Sequence, residues 1–331
     1  MKSYSPKVSI AVPVYGVEKL IERCAVSLFE QTYANLEFVF VDDCSKDNSL
    51  NVLKRVLLRY PTRISQTKII THSVNKGLAS TRNTAVLNST GEFIVHVDSD
   101  DYLDVDTIQI LVNKQLEDDS DIVSFDYIVY RPKYIEYWRH PDCTDAHDLL
   151  KLILSRDAPV CVAGRLIRLD LYKRNHIAAI AGLNMAEDYT VSPFLFYYAK
   201  KIAVVHQFLY HYDCTNETSY TYSFSEDKSS QLWKVHEYLE ESFSHLDPTF
   251  SISLQKAKIK LVARQIIDSC LSNKSYCRMI KSKLTESDKL YYNTVPMNQR
   301  LLLYINYIPI IQLYVRLVRP FNTLKKYLLH R

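Results

Sequence analysis

Residues 93–101 read Phe93-Ile94-Val95-His96-Val97-Asp98-Ser99-Asp100-Asp101, an apolar run that passes directly into a group of carboxylates. The run has the length and the β-branched content of a buried strand. Asp98 and Asp100 follow it across a short turn, so we expect both carboxylates near one point. Hard oxygen ligands of this kind, with phosphate oxygens beside them, suit Mg²⁺ or Mn²⁺. The pattern alone is common in loops, and its surroundings decide what it indicates.

Three more apolar runs lie upstream, separated by segments in which apolar residues recur at helical spacing. The predicted strands are 8–14, 36–41, 67–71 and 93–97. Strands that alternate with helices predict an α/β fold with a mostly parallel sheet covered by helices on both faces. The first two strands end at Pro13-Val14-Tyr15-Gly16 and at Asp42-Asp43. They therefore bring turn residues and acids to the edge where such sheets bind ligands.

The pattern is irregular after residue 130. Helical spacing returns at 149–154 and at 189–199, and a strand is predicted at 202–205. From about residue 226 onwards the chain is largely helical in pattern and rich in tyrosine. We therefore expect a domain at 1–220 that carries the site, and a largely α-helical C-terminal region at 221–331.

Composition excludes several classes of protein. The net charge is only +4, which argues against nucleic acid as a partner. Five scattered glycines cannot form the phosphate-binding loops of Rossmann or P-loop proteins. Seven scattered cysteines without a Cys-x-x-Cys pair indicate a reducing compartment. With no signal peptide pattern and no run of 18 apolar residues, we expect a cytoplasmic protein.

Five segments in order resemble family 2 glycosyltransferases with the GT-A fold, the nucleotide-diphospho-sugar transferase fold. They are Val8 to Gly16, Leu28 to Thr32, Val39 to Asp47, Asn75 to Asn83 and Gly91 to Asp101. Two later stretches, Gly164 to Arg168 and Ala186-Glu187-Asp188, extend the resemblance to about residue 212. Two departures from the family pattern lie in the loops after the first two strands: Gly16 stands where Asn is usual, and Cys44 stands where Gly is usual. Elsewhere, Thr81 replaces the usual Ala, Arg165 replaces the usual Lys, and the segment after Tyr212 lacks the usual Arg.

The resemblance implies an inverting, metal-dependent sugar transferase of the hexosyltransferase kind. Its donor would be a nucleotide-diphosphate sugar, expected to be a UDP-sugar. Its acceptor would be a hydroxyl of a glycan or a lipid-linked molecule in the synthesis of cell-surface polysaccharide. The other interpretation left open is a non-catalytic subunit that binds nucleotide-sugars or assists assembly.

The resemblance also implies roles for individual residues. Asp188 would be the general base that takes the proton of the acceptor hydroxyl. Asp98 and Asp100 would bind Mn²⁺ or Mg²⁺. Asp42, rather than Asp43, would accept a hydrogen bond from the base of the nucleotide. The full substrate-binding set is Pro13, Val14, Tyr15, Glu18, Asp42, Asp43, Arg82, Asp98, Ser99 and Glu187.

Simpler interpretations of the same residues stay open at this point. Without the resemblance, Asp188 would be an acid near a helix N-terminus, stabilised by the helix dipole. Arg82 would be a solvated charge on a helix surface. His96, inside an apolar run, would be a core histidine with its hydrogen bonds satisfied.

The C-terminal segment 301–315 is strongly apolar but is interrupted by Asn306, Pro309 and Gln312. Basic residues follow it, and no acid occurs after Asp288. This composition is typical of a helix that lies in a membrane interface, which would make the protein peripheral on the cytoplasmic face of the inner membrane. A helix pair packed on the catalytic domain and a homodimer contact are the other two interpretations.

Overall fold

A computed structural model describes residues 4–215, 225–271, 273–305 and 307–317. Its strands are β1 (Val8–Val14), β2 (Leu36–Asp42), β3 (Thr67–Thr71), β4 (Phe93–His96), β5 (Tyr102–Leu103), β6 (Ile122–Tyr130), β7 (Ile135–Trp138), β8 (Arg165–Arg168) and β9 (Ile202–Asp213). Its first eight helices are α1 (Ile21–Phe29), α2 (Ser49–Leu58), α3 (Pro61–Ile64), α4 (Leu78–Asn88), α5 (Thr107–Asp118), α6 (Ala146–Leu154), α7 (Leu169–Arg174) and α8 (Ser192–Tyr198). The later helices are α9 (Glu226–Leu246), α10 (Ser251–Ser269), α11 (Lys274–Ser282) and α12 (Met297–Tyr304). Residues 308–317 are also helical.

Within the described residues the strands form one sheet, in the order β3-β2-β1-β4-β8-β6-β9-β5, with β7 paired to β6. Strands β1 to β4 pair in parallel, as the alternation of strands and helices predicts. Every residue of β1 and β2 is buried, which explains their continuous apolar sequences. The carboxyl ends of these strands meet at one edge, where Val14 is paired with Asp42.

Two predicted elements differ in extent from the structure. The segment predicted as one helix at 189–199 is a 3₁₀ turn at Glu187–Thr190 followed by α8. Pro193 begins the new helix, because its fixed φ suits a first helical turn and its missing N–H is not needed there. The strand predicted at 202–205 continues to Asp213 as β9, alongside β6.

The described chain divides into two compact units. The first holds the described residues up to Leu150 together with 160–215, and it contains the whole sheet. The second holds 151–159 and the described residues from 225 onwards. Its helices enclose a separate apolar core, which includes Trp233, Ile259, Ile266 and Ile280. In the part of the chain that the structure describes, no helix combines the length and the apolar character needed to cross a membrane.

Candidate active site

The loop after β1 and the loop after β2 are tied together at the carboxyl edge of the sheet. Glu18 accepts a hydrogen bond from the Asn48 backbone N–H at 3.0 Å, and its own N–H donates to Asp47 Oδ2 at 2.9 Å. Pro13 and Val14 are buried beneath these loops, whereas the ring of Tyr15 is half exposed. The exposed ring of Tyr15 and the backbone around it therefore form an accessible surface at this edge, which we call the shelf.

Gly16 and Cys44, two of the departures from the family pattern, both have positive φ angles, of 68° and 61°. Asn and Gly are the residues that adopt this conformation most readily, which explains why the family pattern has them there. Gly16 meets the requirement without strain. Cys44 adopts the same conformation at a cost in backbone conformational energy, and its thiol lies 3.9 Å from the Ser73 carbonyl.

Asp42 and Asp43, although adjacent, have different surroundings. Asp43 receives hydrogen bonds from the backbone N–H groups of Lys76 and Gly77, both at 2.8 Å, and lies 2.7 Å from His72 Nδ1. It therefore anchors the loop that leads into α4. Asp42 accepts one hydrogen bond from the described residues, from the Ser45 N–H at 3.2 Å. It has acceptor capacity left for a ligand, which agrees with the preference for Asp42 as the base contact.

The acidic turn after β4 is anchored by a residue outside the predicted site. Asp101 is buried, and its carboxylate accepts hydrogen bonds from Tyr210 Oη and the Asp213 N–H, both at 2.8 Å. Burial, together with the charges of Asp100 and Asp98, raises the pKa of Asp101 well above its ordinary value. Asp101 thus fixes the turn to β9. The sequence shows three acids here but does not show which of them is buried.

Arg23, a second residue outside the predicted set, supports the same turn from α1. Its Nη2 donates to the Asp100 carbonyl at 2.6 Å and to Asp213 Oδ2 at 2.7 Å. The guanidinium lies over the ring of Tyr102, 4.6 Å from its centroid. Arg23 therefore ties the backbone at Asp100 to the end of β9, while the side chains of Asp98 and Asp100 are partly exposed.

Arg82 on α4 joins the acidic turn to the segment that carries the predicted base. Its Nη2 lies 2.9 Å from Asp98 Oδ1, and its Nε lies 3.1 Å from Glu187 Oε1 and 3.5 Å from Asp188 Oδ1. Arg82 is 5% exposed, so its interpretation as a solvated helix charge is wrong. Residues about a hundred positions apart in the chain therefore converge on one guanidinium.

Burial and the mutual charges of Arg82, Glu187 and Asp188 shift the pKa values of all three side chains. Burial opposes the charge of Arg82, but the charges of Asp98, Asp188 and Glu187 outweigh this effect and keep the pKa of Arg82 well above its usual range. Burial, and then the charge of Asp188, raises the pKa of Glu187 to about 8. Burial likewise raises the pKa of Asp188, against the influence of Arg82. The Glu187–Asp188 pair therefore retains a proton near neutral pH.

His96 lies close to this group but belongs to the core. Its Nε2 is 3.0 Å from Tyr172 Oη, and burial, with the charge of Arg82, lowers the pKa of His96 to about 3. The imidazole is therefore neutral at physiological pH. A small cavity lined by His96, Tyr172, Arg82 and Asp188 lies between them.

The segment before Asp188 is held in an unusual backbone conformation. Ala186 has a φ of 63°, in the left-handed region that non-glycine residues rarely adopt. Such backbone costs about 1–2 kcal/mol and occurs more often at functional sites. Here it turns Glu187 and Asp188 towards Arg82. No signal in the sequence marks this alanine.

Replacing Glu187 with glutamine is expected to stabilise the fold near neutral pH. Since the folded-state pKa of Glu187 is raised, the folded protein holds a proton that the unfolded chain releases above the ordinary carboxyl pKa. Stability should therefore fall as the pH rises from about 5 to about 8, by up to about 1.4 kcal/mol per pH unit. Glu187→Gln removes this titration and should flatten the profile, as measured by urea unfolding across that range. The exposed control Glu117→Gln should keep the wild-type slope, and an equally steep slope in Glu187→Gln would contradict the charge balance described.

The chemistry of the acidic turn suits a divalent cation. Asp98 and Asp100 supply hard carboxylate oxygens, and Mg²⁺ and Mn²⁺ beside a diphosphate use one or two carboxylates together with phosphate oxygens and water. Asp98 also pairs with Arg82, so its carboxylate would be shared between the guanidinium and a metal ion. Among the described residues, no group of three or more His, Cys, Asp or Glu side chains is arranged to hold a metal ion.

Comparison with known proteins bears on the same part of the chain. The sequence profile of the family described as "Glycosyl transferase family 2" matches residues 9–174. The glycosyltransferase EpsJ of Bacillus subtilis, described as uncharacterized, is 30% identical over 62% of this chain and 61% of its own. The poly(ribitol-phosphate) beta-glucosyltransferase of Bacillus spizizenii is 32% identical over 62% of this chain and 32% of its own. The chain spans from 18% to 61% of the length of the first curated relatives it matches.

Among solved structures, S. aureus TarS 1-349 in complex with UDP-GlcNAc is similar to this fold. The TM-score is 0.62 at 20% identity, and the similarity covers 96% of this chain and 92% of that one. This likeness shows that the fold is the GT-A fold, a mostly parallel sheet with a helical C-terminal region. The family profile covers half of the chain and includes the strand ends, α4 and the acidic turn. The chain belongs to glycosyl transferase family 2.

Proposed function

We propose that this protein transfers a sugar from a UDP-sugar to a hydroxyl group of a glycan or lipid-linked acceptor, with inversion at the anomeric carbon. The observation that carries the proposal is the pairing of Asp98 and Asp188 with the same guanidinium of Arg82. The acidic turn and the proposed base therefore both contact this guanidinium. We propose further that the catalytic domain ends near residue 220.

The donor is proposed to lie along the carboxyl edge of β1, β2 and β4. Tyr15 and the backbone from Pro13 would contact the base and ribose, and Asp42 would accept a hydrogen bond from the edge of the base. The UDP-sugar assignment is supported by TarS, whose structures are described as complexes with UDP and with UDP-GlcNAc. A mannosyltransferase from Pyrobaculum calidifontis with a similar fold was solved with GDP-Man and Mn²⁺, so the panel of donors that tests the proposal includes GDP-sugars.

The diphosphate is proposed to lie at the acidic turn. When bound, Mn²⁺ or Mg²⁺ held by Asp98 and Asp100 would neutralise charge that develops on the departing diphosphate. Ser99 lies between these two acids and is buried. The hydroxyl of Ser99 therefore does not reach solvent. The backbone of Ser99 sets the spacing between Asp98 and Asp100.

Asp188 is proposed to take the proton from the acceptor hydroxyl. As that oxygen forms its bond to the anomeric carbon, the bond from this carbon to the diphosphate breaks and the nucleoside diphosphate leaves. Direct displacement of this kind inverts the anomeric centre. Burial raises the pKa of Asp188, and a base with a raised pKa accepts a proton more readily near neutral pH. Glu187, bonded to Arg82 alongside, is proposed to contact the acceptor.

The acceptor is proposed to belong to cell-surface polysaccharide synthesis on the cytoplasmic side of the membrane. Support comes from the relative in Bacillus spizizenii, whose name gives poly(ribitol-phosphate) as the acceptor.

A panel of nucleotide-sugars, tested by thermal shift with Mn²⁺ and with a chelator, tests this function. A donor at about 100 times its dissociation constant should add about 2.7 kcal/mol of stability. We expect a UDP-sugar to raise the melting temperature with Mn²⁺, and Asp100→Ala to lose the metal-dependent part of the shift. The exposed-acid variant Glu117→Ala should behave as the wild type.

The same donor is then incubated with the protein, and release of UDP is measured. A transferase should release UDP slowly to water and faster with acceptor present. Donor binding without any release of UDP would favour the non-catalytic subunit. No thermal shift with any nucleotide-sugar would contradict the proposed function.

A further inference from the structure

The helices of the second unit between residues 297 and 317 bury one face in the core of that unit. Leu302 and Leu303 of α12 are buried there. Ile308, Ile311 and Val315 of the following helical residues enter the same core, each at most 3% exposed. The inward face of both helical segments is therefore already covered by apolar partners.

The outward face of the same two segments is also apolar. Seven large side chains on it, between 46% and 66% exposed, form what we call the outer apolar row: Met297, Leu301, Tyr304, Tyr307, Ile310, Leu313 and Leu317. Successive members are three or four residues apart, the spacing that keeps side chains on one face of a helix. A helix in water normally places polar residues on the face opposite its core. Here most of that face is apolar instead.

Single exposed apolar residues are common, but a continuous row of them marks an interaction surface. Exposed leucines elsewhere, such as Leu58 and Leu87, are not part of such a row. Among the described residues, no part of the second unit therefore covers the outer apolar row.

The charges in this part of the sequence indicate what covers the row. From residue 297 to the end, the sequence contains six basic residues and no acid: Arg300, Arg316, Arg319, Lys325, Lys326 and Arg331. Arg316, on the outward side between Leu313 and Leu317, is exposed. A second copy of this chain would bring an equally basic segment against the first in a two-fold dimer. An anionic lipid surface instead attracts the cations and accepts the apolar side chains.

We propose that the outer apolar row, together with the exposed Arg316, docks this protein on an anionic membrane, with the helical residues 297–304 and 308–317 lying in the interface. The docking does not require the transferase activity proposed above. If both hold, docking brings the site to lipid-linked acceptors at the membrane surface.

Flotation of the full chain with lipid vesicles tests the docking. Wild type should float with vesicles of phosphatidylcholine mixed with anionic phosphatidylglycerol, less with phosphatidylcholine alone, and less at high salt. The triple variant Leu301→Gln/Ile310→Gln/Leu313→Gln should bind about tenfold or more weakly. Arg316→Gln should weaken binding about fivefold. The matched control Leu58→Gln/Ile64→Gln/Leu87→Gln, which changes exposed apolar residues outside the row, should bind as the wild type.

All three changes in the triple variant are at exposed positions, so its melting temperature should match that of the wild type, and this check separates lost docking from misfolding. Wild type that stays away from both kinds of vesicle would overturn the proposal. So would a triple variant that floats as well as the wild type. A wild-type dimer that becomes monomeric in the triple variant, without vesicle binding, would identify a second copy as the occupant and also overturn it. None of these results depends on a nucleotide-sugar, so failure of the transferase assignment would be seen separately.

Discussion

Replacing Arg82 with methionine is expected to lower the free energy of unfolding by about 3–5 kcal/mol at neutral pH. Methionine keeps much of the volume of arginine, so packing changes little. What disappears is the cation that contacts Asp98, Glu187 and Asp188, and these carboxylates are left close together without it. Urea unfolding measures the loss directly.

The loss in Arg82→Met should depend on pH in a definite direction. Without the cation, the pKa values of Glu187 and Asp188 rise further in the folded state, so the penalty grows as the pH rises and shrinks as these acids become protonated. Arg174→Met is the matched control, because Arg174 is exposed and pairs only with Asp170 among its described ion partners. It should change stability by no more than about 0.5 kcal/mol. An Arg82→Met protein as stable as this control would show that Arg82 does not balance the site.

Replacing Asp188 with asparagine is expected to lower kcat of sugar transfer by about 10²–10⁴-fold. Asparagine has nearly the same shape but cannot take the proton of the acceptor hydroxyl. Arg82 keeps Asp98 and Glu187 as partners in this variant, so the fold should be retained. Donor affinity should change little, because the donor is proposed to be held by Asp42, the turn at Asp98 and the shelf at Tyr15. Transfer rates and donor affinity are measured on the same preparation.

The pH profile gives a second readout of Asp188. Since burial raises its pKa, transfer should decline on the acid side at a pH above that of an ordinary carboxylate. The exposed-acid control Asp170→Asn should keep both the rate and the profile. An Asp188→Asn protein that transfers sugar at the wild-type rate would remove the proposed base from the mechanism.

Strands β1, β2 and β4 could be predicted because each is a mostly apolar run that is buried along its whole length, and β3, which is only partly buried, because it is a short run centred on Ile69 and Ile70. Strands β6 and β8 could not, because they bury polar residues. Asp126 lies inside β6 and accepts a hydrogen bond from the His140 N–H, and Arg165 at the start of β8 is fully buried under the ring of Phe196. Both polar residues contact residues from other parts of the chain, which a local pattern does not show.

Some residues of the candidate site could likewise be predicted from the sequence, and others could not. The acids at the strand ends could be found from position alone, since parallel strands deliver them to one edge. The meeting of Asp188 with Arg82 spans about a hundred residues and followed only from the family resemblance. The anchoring roles of Asp43 and Asp101 depend on which backbone N–H groups point at each carboxylate, and this is visible only in three dimensions.

The most direct measurement is a crystal structure of the Asp188→Asn protein with Mn²⁺ and the UDP-sugar selected by thermal shift, using the anomalous signal of manganese. The account predicts a manganese peak beside the carboxylates of Asp98 and Asp100, the base near Asp42, and the anomeric carbon of the sugar facing residue 188. A nucleotide-sugar bound away from this edge of the sheet, or a sugar whose anomeric carbon faces away from residue 188, would contradict the account.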